Sequence, residues 1–335
     1  MARCSICGAP AVAYVRAQRR HLCAAHYVEY VEGKVKRALR RYGMVSKGSL
    51  VLVSLSGGKD SAALLGALSR ASREMGFRLV AMHIDLGIGE YSRKSREAVE
   101  AAVEKLGVPL IVVSVKEVLG VTVPELARMA RRPVCSVCGM VKRYITNAVA
   151  VELGADALAL GHNADDLAVY NMKSFINQDL EAISKLGPKT ESIPGKAVSR
   201  IRPLYEVYEK EAFLYAYLTG VPFIHDECPH VDPNSLERNL KEELNRLEEK
   251  KPGIKMSMMR RLAKRIRDYP RPQGEVRSCS VCGLISSGET CSFCRLTGRV
   301  LGEPMGPRVR EHVRRLVSEL RDTVLRDYNP PAASG

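Results

Sequence analysis

Short apolar runs alternate with amphipathic stretches through the middle of the chain. Val51–Ser56, Leu79–Ile84, Leu110–Val115 and Ala157–Gly161 are nearly continuous apolar segments of strand length, as expected of strands buried on both faces. Between them, 61–75, 92–106 and 138–153 repeat apolar residues at helical spacing. Strand–helix–strand repetition predicts an α/β fold: a doubly wound parallel sheet with right-handed crossovers and helices on both faces. Ligands then gather at the carboxyl ends of the strands, where the strand order reverses. Gly, Pro and Ser in GPKTESIPGKA (187–197) mark a mobile loop inside this half.

The pattern changes outside that core. Residues 1–30 and 278–295 are rich in cysteine, and 234–268 is a strongly charged helical stretch. From Arg308 to Leu325, Val309, Val313, Leu316, Leu320 and Val324 recur at three- and four-residue spacing, an amphipathic helix; NPPAASG at the end reads as a disordered tail. The expected organisation is therefore an N-terminal zinc module (1–30), a catalytic domain (31–230), a basic helical region (231–277), a C-terminal zinc module (278–295), and a helix with its tail (296–335).

Composition changes the picture in two ways. The 335 residues carry a formal net charge of +15, which points to a polyanionic partner, since clustered cations release counterions from a phosphate backbone. The opening MARCSICGAP has no apolar h-region, and the longest apolar stretch, VPLIVVSV at 108–115, is too short to cross a bilayer. No membrane association is expected, and the ten cysteines belong in a reducing cytoplasm as metal ligands or reactive thiols.

The first strand runs into Ser56-Gly57-Gly58-Lys59-Asp60-Ser61 and then a helix. Backbone N–H groups at a helix start bind anions, glycines let the backbone approach, and Lys59 adds a cation. The spacing is not that of a Walker loop. GHNADD (161–166) follows another strand and should face the same crevice. Asp165 and Asp166 there serve as magnesium or substrate contacts, or merely as acids in a capped first helical turn.

Cysteine spacing adds metal chemistry. Cys4-x2-Cys7 with Cys23-x2-His26 forms a Cys₃His set, and Cys279-x2-Cys282 with Cys291-x2-Cys294 a Cys₄ set. Four protein ligands leave no open position, so both predict structural Zn²⁺. Cys135, Cys138 and Cys228 remain. Three thiolates suit a 4Fe-4S cluster with one iron open, or a persulfide carrier with a resolving thiol.

SGGKDS resembles the loop of the PP-loop ATP pyrophosphatases. With HIDLGI (83–88), CSVCGMVKRY (135–144), GHNADD, ECP (227–229) and both terminal cysteine sets, the chain resembles the tRNA 2-thiouridine synthetases that act on the T-loop uridine. The resemblance implies ATP cleavage between its α and β phosphates, adenylation of the uracil 2-carbonyl at position 54, and replacement of that oxygen by sulfur. It implies that Cys135, Cys138 and Cys228 hold the 4Fe-4S cluster. It makes Lys142, Asp166 and Asp60 catalytic, and places ATP against Ser54, Leu55, Ser56, Gly57, Gly58, Lys59, Asp60, Ser61, Ile84, Lys142, Gly161 and Asp166, with Mg²⁺. Expected partners are tRNA, a ubiquitin-like sulfur-carrier protein or other sulfide donor, and a second copy of the chain as a homodimer. A wobble-uridine thiolase on the same scaffold and a PP-loop amide-forming ligase are the alternatives. The cysteine trio argues against the ligase, and Lys142-Arg143-Tyr144 after Cys138 favours the T-loop enzyme.

Overall fold

The computed structural model describes residues 2–271 and 276–322. Its centre is a five-stranded, all-parallel sheet: β1 (Leu50–Leu55), β2 (Arg78–Asp85), β3 (Leu110–Ser114), β4 (Ala157–Ala159) and β5 (Ser199–Ile201), in the spatial order β3-β2-β1-β4-β5. The chain moves outward from β1 to β3 and then returns to the other side of β1. The switch point therefore lies between β1 and β4, and a crevice opens beyond their carboxyl ends.

Nearly every residue of β1 and β2 is buried, because helices cover both faces. Packed on one face are α1 (Ala24–Arg41), α2 (Lys59–Met75), α3 (Gly89–Leu106) and, later in the chain, α6 (Glu209–Thr219), whose Leu39, Leu65, Val99 and Tyr215 share a core with Val51 and Val53. The other face takes α4 (Val134–Leu153) and the C-terminal helix α9 (Gly306–Leu320), with Ile145, Val149, Val309 and Val313 against Leu52 and Met82. A third cluster joins α5 (Ala164–Ile176) to α8 (Ile254–Arg265) through Leu167, Ala168, Met259 and Leu262. Between α6 and α8, α7 (Leu236–Lys250) buries none of its side chains.

The boundaries depart from the sequence reading in informative ways. β4 stops at Ala159, so Leu160 and Gly161 run out into the crevice. The segment 187–197 is not a free excursion: Thr190 N–H donates to Arg200 O (2.9 Å) and Arg202 N–H to Pro188 O (3.0 Å), folding it back along β5. The C-terminal helix is present from Gly306, with Val309, Val313 and Leu320 buried; Val324 and the tail fall outside the described residues. Both cysteine-rich ends belong to the main cores, Cys4 and Cys23 to one face and the four C-terminal cysteines to the other.

Candidate active site

The turn after β1 builds an anion site. α2 starts at Lys59 with Gly58 as its N-cap and no side chain on its first N–H groups, which leaves the positive end of the helix open. Gly57 has φ +86°, and a Cβ there would stand 2.8 Å from the Ser95 carbonyl oxygen. Both the left-handed backbone and the approach of α3 demand glycine. Gly58 has ordinary φ and room for a Cβ. Ser61 Oγ donates to Gly58 O (2.8 Å), tightening the turn.

A charge network surrounds this loop. Lys59 Nζ lies 3.0 Å from Asp60 and 2.8 Å from Glu209; Lys241, from α7, lies 2.8 Å from the other Glu209 oxygen and 3.7 Å from Asp166. Burial works against the Lys59 charge, but Asp60 and Glu209 outweigh it and raise its pKa. Asn163 ties the two loops together: its Nδ2 donates to Asp60 (3.0 Å), while its Oδ1 caps α5 by accepting the N–H groups of Asp165 and Asp166. Burial pushes the Asp166 carboxyl up to about 6, with Lys241 opposing and Asp60 and Glu209 adding to the shift.

The paired acids of GHNADD separate into two roles. Asp166 lines the crevice. Asp165 turns away, is buried, pairs with buried Lys255 and accepts the Glu209 N–H (2.7 Å). It is a structural anchor, so the sequence expectation of a substrate or magnesium contact is corrected for this residue.

A cavity of about 300 Å³ lies beyond the strand ends. Ser54, Leu55, Ser56, Asp60, Ser61, Ile84, Lys142, Gly161 and Asp166 line it, while Gly57, Gly58 and Lys59 stand outside its wall. His83, Tyr91, Ser95 and His162 line it as well and were missed by sequence reasoning; His83 lies inside the HIDLGI segment, which was the available signal. His83 Nδ1 contacts Leu55 O at 3.0 Å. Burial, reinforced by Arg202 and Arg200, lowers His162 to about 4 and keeps it neutral.

The cysteine trio lies close to the Tyr91 and Lys142 side of this cavity, although none of the three lines it. Cys135 and Cys138 sit in the first two turns of α4, which begins at Val134 rather than at 138, and the Cys135 thiol donates to His230 O (3.2 Å), so the Cys228 segment folds over that helix start. Burial raises Cys138, with Lys142 opposing and Cys228 and Cys135 near enough to reinforce the rise. Tyr91, in the cavity wall, is raised by burial and by Cys228 and Cys138. Among the described residues, the groups whose ligand atoms all lie within 4.8 Å of one another are the two terminal sets. The trio is spread more widely than that. The segment before Cys228 is itself docked on the anion loop, with Ile224 N–H donating to Gly57 O (2.9 Å).

The terminal sets have the dimensions of metal sites. Cys4 Sγ and Cys23 Sγ lie 3.4 and 3.2 Å from His26 Nδ1, and Cys7 Sγ lies 3.7 Å from Cys23 Sγ. Cys282 and Cys291 sulfurs are 3.9 Å apart with all four C-terminal thiols buried. Tetrahedral zinc with bonds of about 2.3 Å holds its sulfurs roughly 3.8 Å apart. The C-terminal set reaches the active helix: Tyr144 of α4 stacks on Phe293 (centroids 3.9 Å, 7°) and donates to Gly306 O (3.1 Å).

Residues 29–245 match the PP-loop domain family, and residues 3–28 match the N-terminal LIM domain of the 2-thiouridine synthetase TtuA. The tRNA-5-methyluridine(54) 2-sulfurtransferase of Thermus thermophilus is 40% identical over 295 residues, 88% of this chain and 90% of that protein. The chain belongs to the PP-loop tRNA 2-sulfurtransferases. The Pyrococcus horikoshii protein of the same name is 37% identical over 88% of this chain and 94% of its own length. Among solved structures, the U34-tRNA thiolase NcsA of Methanococcus maripaludis, with its [4Fe-4S] cluster, superposes with a TM-score of 0.76 at 28% identity, covering 90% of this chain and 97% of that one. No helix among the described residues is long and apolar enough to cross a membrane.

Proposed function

We propose that the chain is an ATP-dependent transferase that replaces the 2-oxygen of uridine 54 in the tRNA T loop with sulfur. The observation that carries this is a cavity lined by Lys142, Asp166 and residues from both ends of the anion loop, with the cysteine trio close to its Tyr91 wall. Lys142 and Cys138 lie one helical turn apart on α4, so a cation and a thiol share one helix face.

The loop N–H groups take the β and γ phosphates of ATP, and Lys59 exchanges its contact with Glu209 for phosphate oxygen. Ser54, Leu55 and Ile84 present the ends of β1 and β2 to the adenosine. The uracil 2-carbonyl oxygen attacks the α-phosphorus, the α–β bridging bond breaks, and pyrophosphate departs. Lys142 offsets negative charge on the phosphate in flight. Asp166, ionised above about pH 6, holds the uracil ring or a Mg²⁺ beside Asp60. Cys135, Cys138 and Cys228 would hold an iron–sulfur cluster, which supplies activated sulfide when bound. Sulfide attack at C2 then expels AMP, with the C–S bond forming as the C–O bond breaks.

The two terminal sets would each hold a structural Zn²⁺. The sulfide comes from a ubiquitin-like carrier protein or another donor, and the enzyme works in the cytosol as a homodimer. Uridine 54 is favoured over the wobble position by the N-terminal match to the TtuA domain and by the names of its relatives. Mass spectrometry of ribonuclease fragments mapped to the tRNA sequence, after treatment with ATP, sulfide and anaerobically prepared protein, tests this. Sulfur at position 54 is expected; sulfur at position 34 would reassign the substrate, and no thionucleoside would remove the activity.

A further inference from the structure

A second cavity, of about 570 Å³, lies away from the nucleotide crevice, between α1, α8 and the loop at Glu206–Tyr208. Its walls carry Lys34, Arg37 and Arg41 on α1 and Arg260, Arg261 and Lys264 on α8. Two carboxylates answer these six cations: Glu206, shared by Arg41 and Arg260 at 2.7 Å each, and Glu211, taken by Lys34 at 2.5 Å. Arg37, Arg261 and Lys264 are exposed and have no acidic partner among the described residues. From Lys34 to Arg41 the cations of α1 cover about 10 Å of helix, more than one phosphate of a nucleic acid strand needs. Ala17 and Gln18 of the N-terminal cysteine module form part of the rim.

We infer that this groove seats the phosphate backbone of the tRNA, and that the N-terminal module shapes its edge. The proposal rests on the sulfurtransferase reading. An apolar ligand does not suit walls of arginine and lysine. An acidic protein surface would match the charge, but four of the six cations are arginines, whose forked guanidinium groups grip phosphate oxygens in pairs. Elements that wall the groove also reach the active site. Tyr208 lines the groove, and the next residue, Glu209, holds Lys59 at the anion loop. Helix α8 turns Arg261 and Lys264 to the groove while its Lys255 anchors Asp165 beside Asp166. RNA lying here is adjacent to the crevice without occupying it.

The test is the Arg261→Glu/Lys264→Glu double variant, with Arg37→Glu as an independent probe on the opposite wall. Binding of deacylated tRNA is measured across a salt series, alongside ATP affinity and thermal melting. Expected are a loss of about tenfold or more in tRNA affinity and a salt slope shallower by about one per removed contact, with ATP affinity and melting unchanged. Unchanged tRNA affinity and slope in both variants would overturn the groove, as would loss of carrier-protein binding alone. Failure of the wild type to bind tRNA would instead strike the sulfurtransferase reading itself.

Discussion

Replacing Lys255 by methionine should destabilise this protein more than most single changes, although its sequence neighbourhood is a basic helical region. Lys255 and Asp165 are 5% and 6% exposed and paired with each other. Lys255 Nζ also donates to Asn245 (2.7 Å) and lies 5.6 Å from the Tyr208 ring centre. Without it, the Asp165 carboxylate keeps the Glu209 N–H (2.7 Å) but loses its countercharge. Leaving a buried charge unpaired costs about 3–5 kcal/mol, or roughly 4–7 °C of melting temperature for a chain of this size. Neutralising the partner should recover most of it: Lys255→Met/Asp165→Asn keeps an acceptor for Glu209 and buries no charge, so it should melt within about 1–2 kcal/mol of wild type. Calorimetry of both singles and the double closes the cycle. A Lys255→Met variant within about 0.5 kcal/mol of wild type, or a double no better than that single, would refute the buried pair.

Other outcomes follow from the site. Lys59→Ala should abolish thiolation while melting near wild type, because the half-exposed side chain meets anion rather than core; single-turnover assays beside melting curves check this. The thiolation rate should fall as pH drops through about 6, where Asp166 takes up a proton. Lys241 opposes that shift, so Lys241→Gln should move the acid limb upward; an unmoved limb in the pH–rate profile would detach Lys241 from Asp166. Cys279→Ser should release about one zinc per chain and lower stability, read by metal analysis and melting. Cys135→Ala, Cys138→Ala and Cys228→Ala should each remove iron and activity, whereas a persulfide relay would survive loss of one thiol; iron assays of anaerobic preparations separate the two.

The sheet was legible because β1 and β2 are buried on both faces and so read as unbroken apolar runs. The metal sets were legible because their ligands are local in sequence. What escaped depends on distant chain segments meeting. Glu209 and Lys241 are ordinary helix-surface charges until α6 and α7 bring them to Lys59 and Asp166. Lys255 looked solvated because a charge run on a helix does not reveal which turn faces α5. Tyr144 was noted as a neighbour of the cysteine pair, yet its ring packs on Phe293, a residue of the far terminus. Arg260 belongs by sequence to the basic helical region, but Glu206 holds it at 2.7 Å.

The contact between Tyr144 and Gly306 spans 162 positions of sequence, which has a consequence for synthesis. At roughly 5–20 residues per second, about 8–30 seconds separate the emergence of α4 from the arrival of the segment that covers it. During that interval the helix bearing Cys135, Cys138 and Lys142 shows an uncovered apolar flank to the cell. Its thiols also reach solvent before their third companion, Cys228, has been made. A nascent chain halted before the last cysteine set already carries Cys228 but leaves α4 uncovered, and should therefore be held by chaperones until the C-terminal segment arrives.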